Sequence, residues 1–333
     1  MRAVVCEAFG GYQDLRLHED WPAPEMWPGC VRVAVEAASV GYATLMMVAG
    51  THQNKATPPF VPGTEIAGRV IEVAGDVTTL KVGDAVAGSI RNGALASDAV
   101  APAAAMHKRP EGIRAEDAVH LPTIYGTAYG GLAWLAKLRA GEWLFVPGAA
   151  GATGLAGVQV GKALGAQVIA TASNDAKRAF LADAGADLVL PAEPEGLAAA
   201  LKQATGGRGV DVVYDPVGGA MFDAALRGTA PGARLIIVGF ASGTVPQIPA
   251  NLLLVKNMRA IGLYWGHYLG FARQPPTAQE LADTAAAMQQ LFAWLADGTI
   301  RPETYATYDL ADFREAFAAI AERRIIGKAV LRP

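Results

Sequence analysis

The stretch Gly148-Ala149-Ala150-Gly151-Ala152-Thr153-Gly154 restricts this chain more than any other feature. Trp143-Leu144-Phe145-Val146 precedes it as a buried-strand run, and a helical pattern follows over 155–164. Strand, glycine turn and helix in that order form the context in which such spacing carries a dinucleotide. Gly148 permits the tight turn. Gly151 lets the backbone approach a pyrophosphate with no Cβ between them. Gly154 lets the helix pack close to the strand. The helix N-terminus then offers N–H groups and a partial positive charge to the phosphates. The alternative is an ordinary tight strand-to-helix turn.

The surrounding pattern extends this unit. Strand-like runs at 142–146, 167–171, 188–190, 210–215, 234–239 and 258–264 alternate with helical runs at 155–164, 175–184, 195–204 and 221–230. Gly165 and Gly185 stand where helix stops belong. Six short strands with crossover helices predict an α/β fold with a parallel, doubly wound Rossmann sheet. Before about Pro122 the chain has short strand-like runs (3–7, 31–38, 67–74) punctuated by Gly and Pro, which predicts a β-rich domain. Near the other end, Leu281, Ala285, Met288, Phe292 and Leu295 form one helical core stripe. Phe313, Phe317 and Ile320 form a second, with Asp309 or Asp312 as its N-cap. Residues 328–331 resemble a strand. The expected division is a discontinuous β-rich catalytic domain, 1–124 with 270–333, and a Rossmann dinucleotide-binding domain, 125–269.

Length and composition agree with two packed domains. The chain has 333 residues, 52% of them hydrophobic, and a formal net charge of −3. No basic tract marks a nucleic-acid or anionic-membrane partner. No apolar run is long enough to span a bilayer, and the start lacks the apolar length of a signal peptide. Cys6 and Cys30 are the only cysteines. Two thiols make neither a disulfide framework nor a four-thiolate zinc site, and they suit a reducing cytoplasm.

The second strand of a Rossmann unit carries the group that selects the cofactor's ribose. An acidic residue there selects NAD. This strand ends Ala170-Thr171-Ala172-Ser173-Asn174, with no carboxylate before Asp175. Ser173, Lys177 and Arg178 offer a hydroxyl and two cations, which suit a 2′-phosphate and so NADPH. The alternative for Lys177 and Arg178 is a solvated helix face.

Several stretches in order complete a larger pattern: Pro62-Gly63-Thr64-Glu65-Ile66-Ala67-Gly68, Val82-Gly83-Asp84-Ala85-Val86, Tyr125-Gly126-Thr127-Ala128-Tyr129, the glycine turn, Thr205-Gly206-Gly207-Arg208-Gly209-Val210-Asp211, Asp215-Pro216-Val217-Gly218-Gly219 and Val238-Gly239-Phe240-Ala241-Ser242-Gly243. Together they resemble the zinc-free quinone oxidoreductase branch of the medium-chain dehydrogenase/reductase superfamily, over essentially the whole chain. The resemblance implies a GroES-like catalytic domain beside the Rossmann domain. It implies that Thr127 lies near the nicotinamide, and that Ala152 and Thr153 meet the pyrophosphate. Ser173 and Lys177 would meet the 2′-phosphate. Val217, Gly239, Phe240 and Ala241 would line the nicotinamide side, Leu263, Tyr264 and Trp265 would close over the carboxamide, and Lys328 would stand at the cleft edge. Core packing is the alternative for Val217 and Phe240; packing at a dimer edge is the alternative for Tyr264 and Trp265.

Alcohol dehydrogenases of the superfamily place a Cys ligand near position 39 and a His where Thr64 stands. Here Ser39 and Thr64 occupy those places, and none of the five histidines forms a close ligand pair, so no metal is expected. The branch also has an Asn and an Asp where this chain has Gly41 and Thr44, a Tyr where it has His52, and a Tyr at the 2′-phosphate where it has Ala192. Without a metal the site suits substrates whose β-carbon is already electrophilic, such as quinones and α,β-unsaturated carbonyls. Candidate donors to the developing enolate are Tyr42, Thr44 and His52; Met46, Met47 and Phe60 are expected to line a pocket for a flat substrate. An enoyl-thioester reductase and a non-enzymatic NADPH-binding protein are the alternatives. A strand-like end to 252–263 at the sheet's edge predicts a homodimer joined there.

Overall fold

The structure is a computed structural model and describes residues 1–53 and 55–333. The chain divides into two compact units. One comprises Met1–Thr123, Gly266–Asp297 and Pro302–Pro333; the other comprises Ile124–Trp265 and Gly298–Arg301.

In the first unit β1 (Ala3–Val5) pairs antiparallel with β2 (Arg16–His18). There follow β3 (Cys30–Val40), α1 (Tyr42–Val48), β4 (Glu65–Val73), β5 (Ala85–Ser89), β6 (Asp98–Pro102), β7 (Met106–Lys108) and α2 (Ala115–Ala118). Val31, Val33 and Val35 of β3 are buried while Arg32, Ala34 and Glu36 are half-buried, the period-two burial expected of its alternating sequence.

The second unit contains α3 (Gly126–Tyr129), β8 (Trp143–Val146), α4 (Ala152–Ala163), β9 (Gln167–Ala172), α5 (Asp175–Asp183), β10 (Leu188–Pro191), α6 (Leu197–Ala204), β11 (Val210–Asp215), α7 (Gly219–Arg227), β12 (Thr229–Ile237), α8 (Ala250–Lys256) and β13 (Arg259–Gly262). Its six strands lie in the order β10-β9-β8-β11-β12-β13, all parallel. This is the doubly wound Rossmann arrangement, with the order reversing between β8 and β11. Phe145, Ile169, Val213 and Leu235 are fully buried, because helices cover a sheet of this kind on both faces.

The chain then completes the first unit with α9 (Ala278–Ala296), β14 (Thr304–Asp309), α10 (Phe313–Ala321) and β15 (Lys328–Arg332). Strand β15 runs antiparallel to β3, and the sheet order is β14-β15-β3-β4-β5-β7, with β6 also on β3. Phe313 and Phe317 of α10 join Val4, Val33 and Ile66 in its core.

Three local expectations shift. Strand β12 starts at Thr229, five residues ahead of the expected 234, because Pro231-Gly232 looks like a turn yet continues the strand after a register shift against β11. On α9 the buried face is Thr284, Ala287, Met288, Leu291 and Phe292; Leu281 is exposed, so the core stripe is rotated from the expected one. Asp309 caps the short turn Leu310–Asp312 that leads into α10, accepting from the Ala311 N–H at 2.9 Å. Among the described residues no helix is long and apolar enough to cross a membrane.

Candidate functional site

The glycine turn follows β8 directly, at the reversal point of the sheet where ligands of doubly wound folds bind. Gly148 has φ +58, a left-handed conformation that favours glycine. Its N–H donates to Thr171 Oγ1 at 3.0 Å, which ties the turn to β9. A Cβ on Gly154 would stand 2.7 Å from Ala149 Cα and 2.9 Å from the Gly148 carbonyl oxygen, so this glycine sets the helix against the turn. A Cβ on Gly151 would meet only the Gly148 carbonyl oxygen, at 3.6 Å, leaving its outer side open to a ligand. Gly151 is the N-cap of α4 and supplies no side-chain acceptor. The first-turn N–H groups of Ala152, Thr153 and Gly154 therefore have no acceptor within the helix, which suits a pyrophosphate.

The ribose end is assembled from β9, β10 and α5. Ala172 is buried at the end of β9, and Ser173 beyond it is exposed. The Ala192 N–H donates to the Ala172 carbonyl at 3.1 Å, so the residue that replaces the family Tyr lies beside this strand end. Asn174 caps α5, its Oδ1 accepting from the Lys177 N–H at 2.9 Å, and this starts the helix one turn before the half-buried Lys177 side chain. Arg178 pairs with Asp175 on its own helix and reaches the Ala172 carbonyl. Asp175, the first carboxylate after the strand, is thereby engaged, and Arg178 is held by its neighbours rather than standing as an independent cation.

The nicotinamide side is built from the turns after β11 and β12. Asp215, fully buried, ends β11 and accepts from the Val217 N–H at 2.9 Å and the Gly218 N–H at 3.0 Å. Burial raises its pKa; those two N–H bonds act the other way. The bonds aim Val217 at the glycine turn, where a Cβ on Gly148 would press Val217 Cγ2 at 2.7 Å. The N–H groups of Ala241 and Ser242 donate to the carbonyls of Pro216 and Val217 at 3.1 and 3.0 Å, which brings Gly239, Phe240 and Ala241 to the same place. Phe240 is exposed, so the core alternative does not describe it. Thr127 is buried on α3. Leu263 is half-buried and Tyr264 exposed.

Trp265, expected to close over the carboxamide or to pack, has a ring that packs. It is buried inside its own unit, where Cβ atoms on Gly126 or Gly130 would collide with its ring at 2.6 Å, and its ring centroid lies 5.6 Å from that of Trp134.

In the first unit Tyr42 is exposed at the start of α1, and half-buried His52 follows the helix, its N–H donating to the Met46 carbonyl at 3.1 Å. Thr44 has a second role beside the expected one. Its side chain is buried, and Oγ1 accepts from the Gly41 N–H at 3.4 Å, so it helps cap α1. Met47 and Phe60 also belong to the core rather than to an open pocket; Met46 is half-buried.

Lys328 is not an open cation at a cleft edge. It is buried, its Nζ bound to Glu65 Oε2 and to Ser39 Oγ, the latter at 3.1 Å; Ser39 Oγ also donates to that Glu65 oxygen. Glu65, Thr171 and Asp215 escape sequence reasoning as site-shaping groups. Glu65 and Asp215 had a visible signal, in Pro62-Gly63-Thr64-Glu65-Ile66-Ala67-Gly68 and in the strand end followed by Pro216-Val217-Gly218-Gly219.

A zinc ion does not fit this donor set. Soft or imidazole ligands are absent at Ser39 and Thr64, and Glu65 is already neutralised by an ammonium. Among the described residues no three His, Cys, Asp or Glu side chains are grouped to hold a metal.

Residues 27–147 match the alcohol dehydrogenase GroES-like domain family, and residues 152–286 match the zinc-binding dehydrogenase family. A quinone oxidoreductase-like protein 2 homolog of Nematostella vectensis is 37% identical over 333 residues, 99% of this chain and 88% of that protein. A mycobacterial protein solved in complex with NADPH superposes with TM-score 0.88 at 30% identity, covering 100% of both chains. A mycocerosic acid synthase-like polyketide synthase of Mycobacterium tuberculosis is 30% identical over 308 residues, 91% of this chain and 14% of that protein.

Proposed function

The chain belongs to the quinone oxidoreductase family of the medium-chain dehydrogenase/reductase superfamily, and from that premise we propose that it is an NADPH-dependent, zinc-independent reductase of quinones or α,β-unsaturated carbonyls. One observation carries the cofactor part: the glycine turn at the sheet's reversal point leads to a strand end with no carboxylate at Ala172 and with Ser173 and Lys177 beside it. Gly148, Gly151, Ala152, Thr153 and Gly154 hold the pyrophosphate; Ser173, Lys177 and Arg178 face the 2′-phosphate. Thr127, Val217, Gly239, Phe240, Ala241, Leu263 and Tyr264 orient the nicotinamide. Bound there, the cofactor supplies hydride. Tyr42, Thr44 and His52 remain the candidate donors on the first unit; Thr44 Oγ1 accepts from the Gly41 N–H and keeps its own O–H as a donor.

The test is a panel of 1,4-benzoquinone, a simple enone and crotonyl-CoA, each with NADPH and NADH. Higher kcat/KM for quinone or enone with NADPH supports the reading; preference for the thioester replaces it with an enoyl-thioester reductase. The similarity to a polyketide synthase favours that second reading. Tight NADPH binding with no turnover on the panel would favour a non-enzymatic role.

The protein is further proposed to be a homodimer. Among the described residues strand β13 pairs only with β12, and Leu254 and Val255 of the preceding α8 are 77% and 71% exposed. Such an edge is normally covered. Free, buried Cys6 and Cys30 suit a reducing compartment, and the cytoplasm is the proposed location.

A further inference from the structure

The Ser39–Glu65–Lys328 cluster is costly as a structural device. Glu65 is 2% exposed at its side chain and Lys328 11%. Taking two charges out of water costs more than their attraction often returns, and apolar residues of similar volume would commonly serve the fold as well. The cluster is also polar beyond its own needs. An ammonium has three donors, and Glu65 Oε2 and Ser39 Oγ account for two at Lys328. Glu65 Oε1 is buried with no hydrogen-bond partner.

Its position adds the direction. Ser39 and Thr64 stand where the superfamily's alcohol dehydrogenases carry metal ligands, so Lys328 keeps a positive charge beside that place. Gly41, at the head of α1 and next to Tyr42, borders the ammonium: a Cβ there would meet Lys328 Cε at 3.3 Å and Nζ at 3.9 Å. With glycine, position 41 itself puts no side chain against the amine. The segment that the resemblance places at the hydride site therefore begins beside a buried cation.

We propose that Lys328 is a catalytic residue whose ammonium donates a hydrogen bond to the substrate's carbonyl oxygen, supplying in this chain the positive charge that a metal supplies elsewhere in the superfamily. Glu65 and Ser39 are positioning residues that hold the amine. The proposal rests on the enone and quinone reading above. When a hydride adds to the β-carbon, the C=C pair shifts and negative charge gathers on that oxygen; Lys328 stabilises it without giving up its proton, and water protonates the α-carbon. Preorganised donors of this sort act on the charge that develops in the transition state.

The test begins with binding alone. 4-Nitrophenol, whose anion resembles an enolate and absorbs differently from the neutral phenol, is titrated into the protein without cofactor at a pH where the free probe is neutral. The wild type is expected to bind it as the phenolate. Lys328→Met is expected to bind it at least tenfold more weakly or as the neutral phenol, and Lys328→Arg is expected to restore anion binding in part. Gly41→Leu places a side chain against the amine while leaving Lys328, Glu65 and Ser39 unsubstituted, and is expected to block the probe; it decides the matter if Lys328→Met does not fold. In turnover, Lys328→Met is expected to lower kcat on an enone about a hundredfold with little change in KM, and to steepen the Hammett slope across ring-substituted benzylideneacetones. Equal phenolate binding in wild type and Lys328→Met, or unimpeded binding in Gly41→Leu, overturns the proposal. If the wild type reduces no enone or quinone, the functional reading fails, and the phenolate titration still reports on Lys328.

Discussion

Two alanine substitutions three residues apart should separate folding from phosphate binding in the glycine turn. In Gly154→Ala the new methyl meets backbone: Ala149 Cα at 2.7 Å, the Gly148 carbonyl oxygen at 2.9 Å and Ala149 C at 3.2 Å. Backbone cannot rotate away as a side chain does, so α4 must move. Overpacking typically costs 1–3 kcal/mol, while exchanging helical Gly for Ala returns up to about 1 kcal/mol. A net loss of about 1 kcal/mol follows, which is a fall in Tm of roughly 2–4 °C for a unit of this size. In Gly151→Ala the methyl meets only the Gly148 carbonyl oxygen, at 3.6 Å, and φ there is −74. Only the weaker N-cap preference of Ala is lost, about 0.5–1 kcal/mol. That methyl nevertheless stands over the N–H groups of the first turn, so dinucleotide affinity should fall at least tenfold, about 1.4 kcal/mol. Thermal unfolding without ligand and NADPH titration by nicotinamide fluorescence give the two readouts. Wild-type NADPH affinity in Gly151→Ala would refute the placement of the pyrophosphate at this turn. An unchanged Tm in Gly154→Ala would refute the packing argument.

Other outcomes follow from the same structure. Lys177→Ala should weaken NADPH about tenfold while leaving NADH nearly unchanged; an equal effect on both removes Lys177 from the 2′-phosphate. Burial lowers the pKa of His107 from 6.5 to about 4, and burial together with the charge of Lys328 lowers that of His120 to about 3. Both are depressed in the folded state, so the unfolded chain binds more protons. Their contribution is fully present above the unfolded value near 6.5 and is lost as pH falls from there toward the folded values. Between pH 7.5 and pH 5 that loss is about 2 kcal/mol for each. Urea midpoints should fall accordingly, and His107→Leu should remove about half of the drop; a pH-independent midpoint contradicts the burial argument. Leu254→Glu should yield a monomer by light scattering at micromolar concentration, whereas an unchanged mass would move the dimer surface elsewhere.

The Rossmann unit was legible because its information is local. The glycine turn, the alternation of strands and helices and the absent carboxylate at Ala172 all lie within short windows, and the structure arranges them in one parallel sheet. The helical stretch around α3 was not visible, because Pro122, Gly126, Gly130 and Gly131 resemble breakers. The structure gives their reason: Trp265 lies against Gly126 and Gly130, and Tyr214 and Ile236 lie against Gly131, so larger residues would not fit. The Lys328–Glu65 pair joins residues 263 positions apart, a distance over which periodicity carries no information. The capping role of Thr44 was missed for another reason: a hydroxyl beside a helix start can accept from the backbone as well as donate, and only geometry shows that it does.

The place of β15 has a consequence for synthesis. It lies against β3 in the interior of the first unit's sheet, yet the two meet across 289 positions at Ser39 and Lys328. At translation speeds of about 5–20 residues per second, β3 waits roughly 15–60 s for that neighbour. Through that interval the nascent chain carries an unpaired sheet edge, and Glu65 lacks its counter-charge. The Rossmann unit's own strands emerge close together and can pair while the first unit waits. The order of birth thus runs opposite to the order of numbering: the unit that begins first is closed last, and the ammonium that neutralises its buried carboxylate arrives with the strand that closes it.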